Sequence, residues 1–211
     1  MHTLTKEQQQ NISPTQAVGL LKAGNQRFIN NIKINNKLLR QVQEASKQQS
    51  PFAVVLSCMD SRTPAELIFD QKLGYIFSLR IAGNILNDDI IGSLEFACKV
   101  VGVKLIAVIG HSGCGAIQGA CNKVKLGKLS QLLSKINPAI DKAKKKFPAL
   151  NPDTPEFVQQ VTQLNIELTV DEISKRSKIL SELLKEYKIA IIGGLYNIEN
   201  GEVEFFEKDK N

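Results

Sequence analysis

Phe52-Ala53-Val54-Val55-Leu56, followed at once by Ser57 and then Cys58-Met59-Asp60-Ser61-Arg62, is the stretch on which the fold turns. An unbroken apolar run of this length, preceded by the breaker Gln49-Ser50-Pro51, reads as a strand buried on both faces. It delivers a thiol, a carboxylate and a guanidinium to one end of a sheet. About fifty residues later Leu105-Ile106-Ala107-Val108-Ile109 repeats the pattern and runs into Gly110-His111-Ser112-Gly113-Cys114-Gly115. Cys58, His111 and Cys114 are then three candidate zinc ligands from two strand ends.

Working outward, Gly74 to Ile81 reads as another strand, and Ile189 to Gly193 as a fourth. Gly201-Glu202-Val203-Glu204-Phe205-Phe206 is a hairpin-like end. Helical spacing fills the gaps. Thr63-Pro64 starts a short helix through Phe69, Asp88 to Val101 is helical and capped by Gly102, and helices follow over Gly113 to Lys125 and Leu129 to Phe147. Pro155 to Tyr187 is a long helical stretch with one break. Near-continuous Val, Ile and Leu strands separated by helices are what a parallel sheet covered on both faces requires. The expected class is α/β: one domain with a central, mostly parallel sheet flanked by helices. In such sheets ligands collect beyond the carboxyl ends of the strands, where Cys58 and His111 both fall.

Residues 1–13 read as a polar tail. Ser13-Pro14 opens a helical arm over 14–49, with Ala17, Leu20, Leu21, Ala23 and Phe28 at helical spacing, an interruption at Gly24-Asn25, and a second segment from Lys37 to Gln48 carrying Leu38, Leu39, Val42 and Ala45. The α/β core spans 50–206. No internal repeat, low-complexity segment or interdomain linker is seen in the sequence; the lysine-rich loop region near residue 148 is where one would fall.

The chain has 211 residues, 43% of them hydrophobic and 23% charged, which is enough for one sizeable core. Its net charge of +6 comes largely from Lys123, Lys125, Lys128, Lys135, Lys142, Lys144, Lys145 and Lys146, on stretches that otherwise read as helix. No nucleic-acid motif accompanies them, so they are read as a solvated face. No apolar run approaches the ~20 residues that span a bilayer. Met1-His2-Thr3-Leu4-Thr5-Lys6 has no apolar signal core, so the expectation is a cytoplasmic protein, or a periplasmic one if a signal segment has been removed. Four cysteines are too few for a disulfide scaffold, and reduced thiols are expected, with Cys98 and Cys121 as small buried apolar residues.

The spacing Cys58…His111-X-X-Cys114 suits zinc, which takes thiolate and imidazole ligands in a tetrahedron and keeps one position open in catalytic sites. Spacing alone leaves open a tight glycine turn with no metal. Asp60 and Arg62 alongside favour the metal, since a structural site would show a fourth Cys or His nearby. A phosphate cradle at Gly110–Gly115 fails on spacing, because it is neither Gly-X-Gly-X-X-Gly nor a Walker loop. Two thiols converging with one imidazole also suit a metal better than a Cys–His nucleophile and base.

Cys58-Met59-Asp60-Ser61-Arg62 and His111-Ser112-Gly113-Cys114-Gly115 resemble the two signature motifs of the β-class carbonic anhydrases, and of their plant-type members in particular. The resemblance extends to Gly24-Asn25-Gln26-Arg27-Phe28, to Arg80-Ile81-Ala82-Gly83-Asn84, and to Gly194-Leu195-Tyr196 with Gly201-Glu202-Val203. It implies one Zn2+ per chain held by Cys58, His111 and Cys114, a carbonate dehydratase activity interconverting CO2 and bicarbonate, and zinc-bound hydroxide as nucleophile. Asp60 and Arg62 match the family's dyad, in which the carboxylate either pairs with the guanidinium or swings in as a fourth ligand. Gln49 matches a substrate-pocket glutamine, Phe77, Ala82 and Phe96 fall where the pocket is lined, and Gly115 lies at its floor. Two departures stand out: Ile81 replaces a commoner asparagine, and Phe96 a tyrosine.

Two thiolates cancel the formal charge of Zn2+, so its water should be less acidic than in a three-histidine site, with Asp60 needed to orient it. The resemblance also implies a homodimer, or a dimer of dimers, built by the wrapping arm. Carbonyl sulfide or carbon disulfide hydrolysis, and a non-catalytic zinc-binding regulatory role, are the alternatives on this scaffold.

Overall fold

The computed structural model describes residues 4–32 and 37–206; His2 and the part of the expected arm at 33–36 fall outside them. Lys6–Asn11 (α1), Pro14–Ile29 (α2) and Leu38–Ala45 (α3) precede the first strand, Ala53–Ser57 (β1). Ala65–Ile68 (α4), Ile76–Arg80 (β2), Asp88–Glu95 (α5) and Leu105–His111 (β3) follow. Gly115–Cys121 (α6), Gly127–Leu133 (α7), Asn137–Lys146 (α8), Pro155–Arg176 (α9) and Lys178–Lys185 (α10) lead to Ala190–Tyr196 (β4) and Val203–Phe206 (β5). A 3-10 turn at Ala82–Asn84 precedes α5, and a π-helical turn at Phe96–Val101 continues it to Gly102, whose φ of 87° is the left-handed cap expected there.

The sheet order is β2-β1-β3-β4-β5, parallel except for the antiparallel β4–β5 pair. Every residue of β1 and of β3 is buried, as their unbroken apolar runs require. Alternate side chains go to opposite faces. Val54, Leu56, Ile106 and Val108 pack with Leu94, Ile166, Ile173 and Leu180 on one side; Ala53, Val55, Leu105 and Ala107 pack with Ala17, Leu21, Ile68 and Phe69 on the other. A third cluster gathers Cys58 and Cys114 with Ile117, Ile136, Phe157 and Val161 at the carboxyl end of the sheet. From β1 the chain moves to β2 on one side, whereas from β3 it moves to β4 on the other. The crevice between the ends of β1 and β3 is therefore the switch point at which α/β sheets bind ligands.

Several expectations are corrected. Of the expected tail, residues 4–13 are not simply that: α1 has a Thr5/Gln8 capping box, and buried Gln9 donates Nε2 to the carbonyls of Pro51 (2.6 Å) and Val101 (3.2 Å). Gly24-Asn25 does not interrupt α2, which runs through both. A Cβ on Gly24 would sit 1.8 Å from the Phe69 carbonyl oxygen, so glycine serves a close approach there, not a break. Asn25 Nδ2 donates to the carbonyls of Ile68 and Gly201, and its Oδ1 accepts from Val203 N–H, which ties the arm to both ends of the core. The helix after Gly113 is shorter than expected, ending at Cys121. Near residue 148, Phe147 and Leu150 pack on the third cluster. The single break in the long helix is at Ser177, which is buried, caps α10 through Leu180 N–H, and donates to Glu95 Oε1 at 2.6 Å. No helix among the described residues is long and apolar enough to cross a membrane.

Candidate metal centre

Cys58 follows the last residue of β1, His111 ends β3, and Cys114 is the N-cap of α6. All are buried, and one ligand atom from each lies within 4.8 Å of the others. The two sulfurs are 3.9 Å apart and form no disulfide. Two sulfurs bound ~2.3 Å from one zinc at a tetrahedral angle would be about 3.8 Å apart, so the pair has the separation that a shared ion requires.

His111 supplies the decisive test. Its Nδ1 lies 2.9 Å from the carbonyl oxygen of Ser112, which can only accept, so Nδ1 carries the proton and donates. Nε2 is then a lone-pair acceptor, buried and without a hydrogen bond among the described residues. A buried orphan beside two sulfurs is what a ligand position looks like with its partner removed. Cys58 is held as thiolate, far below the ordinary thiol range, chiefly by a hydrogen bond from Cys114, with the backbone N–H groups of Gly83 and Asp60 adding to it against the cost of burial. The same hydrogen bond, with burial, pushes the Cys114 thiol up, although N–H groups of Ile117 and Ala116 at the start of α6 point at its sulfur. The pair thus shares one proton. Only a cation lets both be thiolates at once, so the donor set fits zinc.

Asp60 and Arg62 meet side by side. Asp60 Oδ1 accepts from Arg62 N–H and Nε, both at 2.9 Å, and Oδ2 accepts from Nη2 at 2.8 Å. This fork holds the carboxyl well below the usual carboxylate range. Oδ2 is also 3.9 Å from His111 Nε2, so the carboxylate stands beside the ligands while tied to Arg62.

The other expected residues divide. Gly115 is the first residue of α6, and a Cβ there would meet nothing within 4 Å, so open space lies against it. Ala82 is half-buried in the turn whose Gly83 supports Cys58. Gln49 is exposed between α3 and β1. Phe77 and Phe96 do not converge on the cysteines of this chain: they line a separate groove on the β2 side, Phe77 pairing with Val54, four residues before Cys58.

Sequence reading missed the scaffold behind the ligands. Arg80 donates Nε to the Cys58 carbonyl at 3.1 Å and Nη2 to the Asp60 carbonyl. Thr63 Oγ1 donates toward the same two oxygens. Ser112 Oγ accepts from Ile198 N–H. The signal for Arg80 was its place at the end of β2, opposite Ser57 in register, which emerges only once the strands are paired.

The family model described as carbonic anhydrase matches residues 53–203. Carbonic anhydrase 2 of Mycobacterium tuberculosis is 31% identical over 197 residues, covering 90% of this chain and 92% of the relative. The carbonic anhydrase of Mycolicibacterium smegmatis is 32% identical over 200 residues, covering 92% and 94%. Among solved structures, a tetrameric β-carbonic anhydrase from Sordaria macrospora superposes with a TM-score of 0.72 at 22% identity, covering 92% of this chain and 95% of that one. The Coccomyxa β-carbonic anhydrase in complex with acetazolamide gives 0.72 at 23% identity, covering 90% and 86%. With the family model running from the first residue of β1 to the first of β5, the paired Cys58 and His111–Cys114 motifs at the switch point and relatives matched nearly end to end, the chain belongs to the β-class carbonic anhydrases.

Proposed function

We propose that the chain is a zinc-dependent carbonate dehydratase, converting CO2 and water to bicarbonate and a proton and back. The observation that carries this reading is the buried His111 Nε2 lone pair facing two sulfurs, with the Arg62-tied Asp60 carboxylate beside it. Cys58, His111 and Cys114 would hold one Zn2+. Bound there, zinc supplies Lewis acidity that makes a water nucleophilic near neutral pH, moderated by two thiolate charges.

The protein's own work is positioning. Asp60 Oδ2 accepts a hydrogen bond from the attacking water and so aims its lone pair. Arg62, by holding both carboxylate oxygens, would keep Asp60 from joining the donors around a bound metal. The space against Gly115 admits a small linear substrate, and Gln49 donates to a CO2 oxygen as charge develops on it. Phe77, Ala82 and Phe96 wall the pocket and exclude competing water. Because Phe77 and Phe96 lie in a groove apart from Cys58, those walls are assigned to a neighbouring copy in a homodimer or a dimer of dimers. The proton leaves through water, carboxylates or buffer.

Stopped-flow CO2 hydration on the zinc-loaded chain tests this. Turnover that disappears in Cys114→Ser together with bound zinc is the expected result. A fully zinc-loaded chain with no hydration at any pH would make it a binding protein instead.

A further inference from the structure

A cavity of 440 Å³ lies against α9, within the volume range of small-molecule sites. One stripe of α9 forms a wall, since Asn165, Thr169, Glu172 and Arg176 recur at helical spacing. Ile85, Leu86 and Leu168 make an apolar lining, and Lys135 stands at the rim.

Two of these polar residues are more than nine-tenths buried: Asn165 is 5% exposed and Thr169 is 6% exposed. Two turns earlier on the same helix, Thr162 gives its hydroxyl to the Val158 carbonyl at 2.8 Å; Thr169 makes no hydrogen bond to any described residue. A largely buried hydroxyl with no protein partner is free to bond a group that enters the cavity. Asn165 spends Nδ2 on the Gly83 carbonyl at 3.0 Å, which leaves Oδ1 to accept. The charges at the rim are unevenly matched. Glu172 pairs with Lys175 at 3.0 Å and Arg176 with Asp88 at 2.7 Å, whereas Lys135 has no ion-pair partner among the described residues.

We propose that this cavity is a second ligand site, separate from the metal centre, for a small carboxylate with an apolar body and a hydroxyl at its far end. The carboxylate meets Lys135 at the rim, the body lies on Ile85, Leu86 and Leu168, and the hydroxyl donates to Asn165 Oδ1 while accepting from Thr169. A cation is disfavoured by Lys135 and Arg176. A purely apolar ligand would leave the two buried polar groups unmatched. The site is also wired to the metal centre, because Asn165 grips the carbonyl of Gly83, in the turn that Ile81 N–H ties to the Ser57 carbonyl beside Cys58. Occupancy therefore perturbs the metal's sulfur donor, and this coupling rests on the zinc reading above.

Titration calorimetry of the metal-loaded full chain with 4-hydroxybenzoate tests the site, with benzoate and 4-hydroxybenzamide as matched probes. Each deletes one end of the ligand and should bind about tenfold more weakly, as should 4-hydroxybenzoate to the near-isosteric Thr169→Val and to Lys135→Ala. No binding up to about 10 mM, or equal affinity in both variants, overturns it. Cobalt substitution separates the coupling from the zinc reading. Thiolate-to-cobalt absorption that shifts when the probe binds supports the coupling. Bands that are present but unmoved refute it, and bands that never form refute the metal assignment itself.

Discussion

Asp60 is where one residue's environment decides what the site can do. Its carboxyl is held well below the usual range chiefly by the hydrogen bond from Arg62, so the pair's contribution to stability is complete above the unfolded carboxylate value of ~3.9 and is lost only as pH falls below it. The difference in unfolding free energy between the wild type and Asp60→Asn should stay flat from about pH 6 to 9 and shrink below about pH 4. A difference that varies near neutrality would mean Asp60 titrates there. Arg62→Ala should lower CO2 hydration by about 10- to 100-fold, because it removes the tie that fixes a ligand-adjacent group. Absorption-edge spectroscopy near pH 9 distinguishes the cause: carboxylate coordination supports Arg62 as a restraint, and unchanged coordination with wild-type turnover removes it. The ligand set is tested by metal content. Cys114→Ser and His111→Ala should lose zinc. Cys98→Ala and Cys121→Ala should keep it, since burial pushes those thiols up to about 12 and about 11 and neither joins the cluster.

Among the elements, what sequence revealed and what it hid follow from the range of the interactions. The strands were legible because burial on both faces leaves a continuous apolar run, and the Cys58, His111 and Cys114 cluster that could hold a metal was legible because each member closes or follows such a run. α1 and the unbroken course of α2 were not, because what stabilises them is distant: Gln9 bonds Pro51 and Val101, and Asn25 bonds Ile68, Gly201 and Val203. A local reading sees only a polar segment and a Gly-Asn pair. This contrast is testable at two glycines of one helix. Gly19→Ala meets nothing within 4 Å and should stabilise by about 0.5–1 kcal/mol through reduced chain entropy. Gly24→Ala drives a Cβ into the Phe69 carbonyl and should cost at least ~1–3 kcal/mol. Urea denaturation midpoints moving in opposite directions are the expected result; equal shifts would mean α2 is not docked as described.

Over the whole molecule, two apolar surfaces have no partner within the described chain. Leu38, Leu39 and Val42 on α3 are 56%, 73% and 50% exposed. β2 is an edge strand, and beside it runs a groove of 650 Å³ lined by Phe77, Leu79 and Phe96, with Phe96 54% exposed. Soluble monomers seldom leave apolar area contiguous on this scale, and an uncovered strand edge invites pairing. A second copy can cover both surfaces and bring Phe77 and Phe96 to a metal centre they do not reach in their own chain. The full chain should therefore be a homodimer or larger by light scattering. Leu39→Lys and Phe96→Glu place charges on those surfaces without touching a ligand, and each should shift the population toward folded, zinc-retaining monomer. If the pocket walls come from the neighbour, hydration activity must fall in proportion to dimer on dilution. A charged variant that becomes monomeric yet keeps full turnover would show that each chain's pocket is complete by itself, and Phe77 and Phe96 would then be interface residues with no part in the reaction.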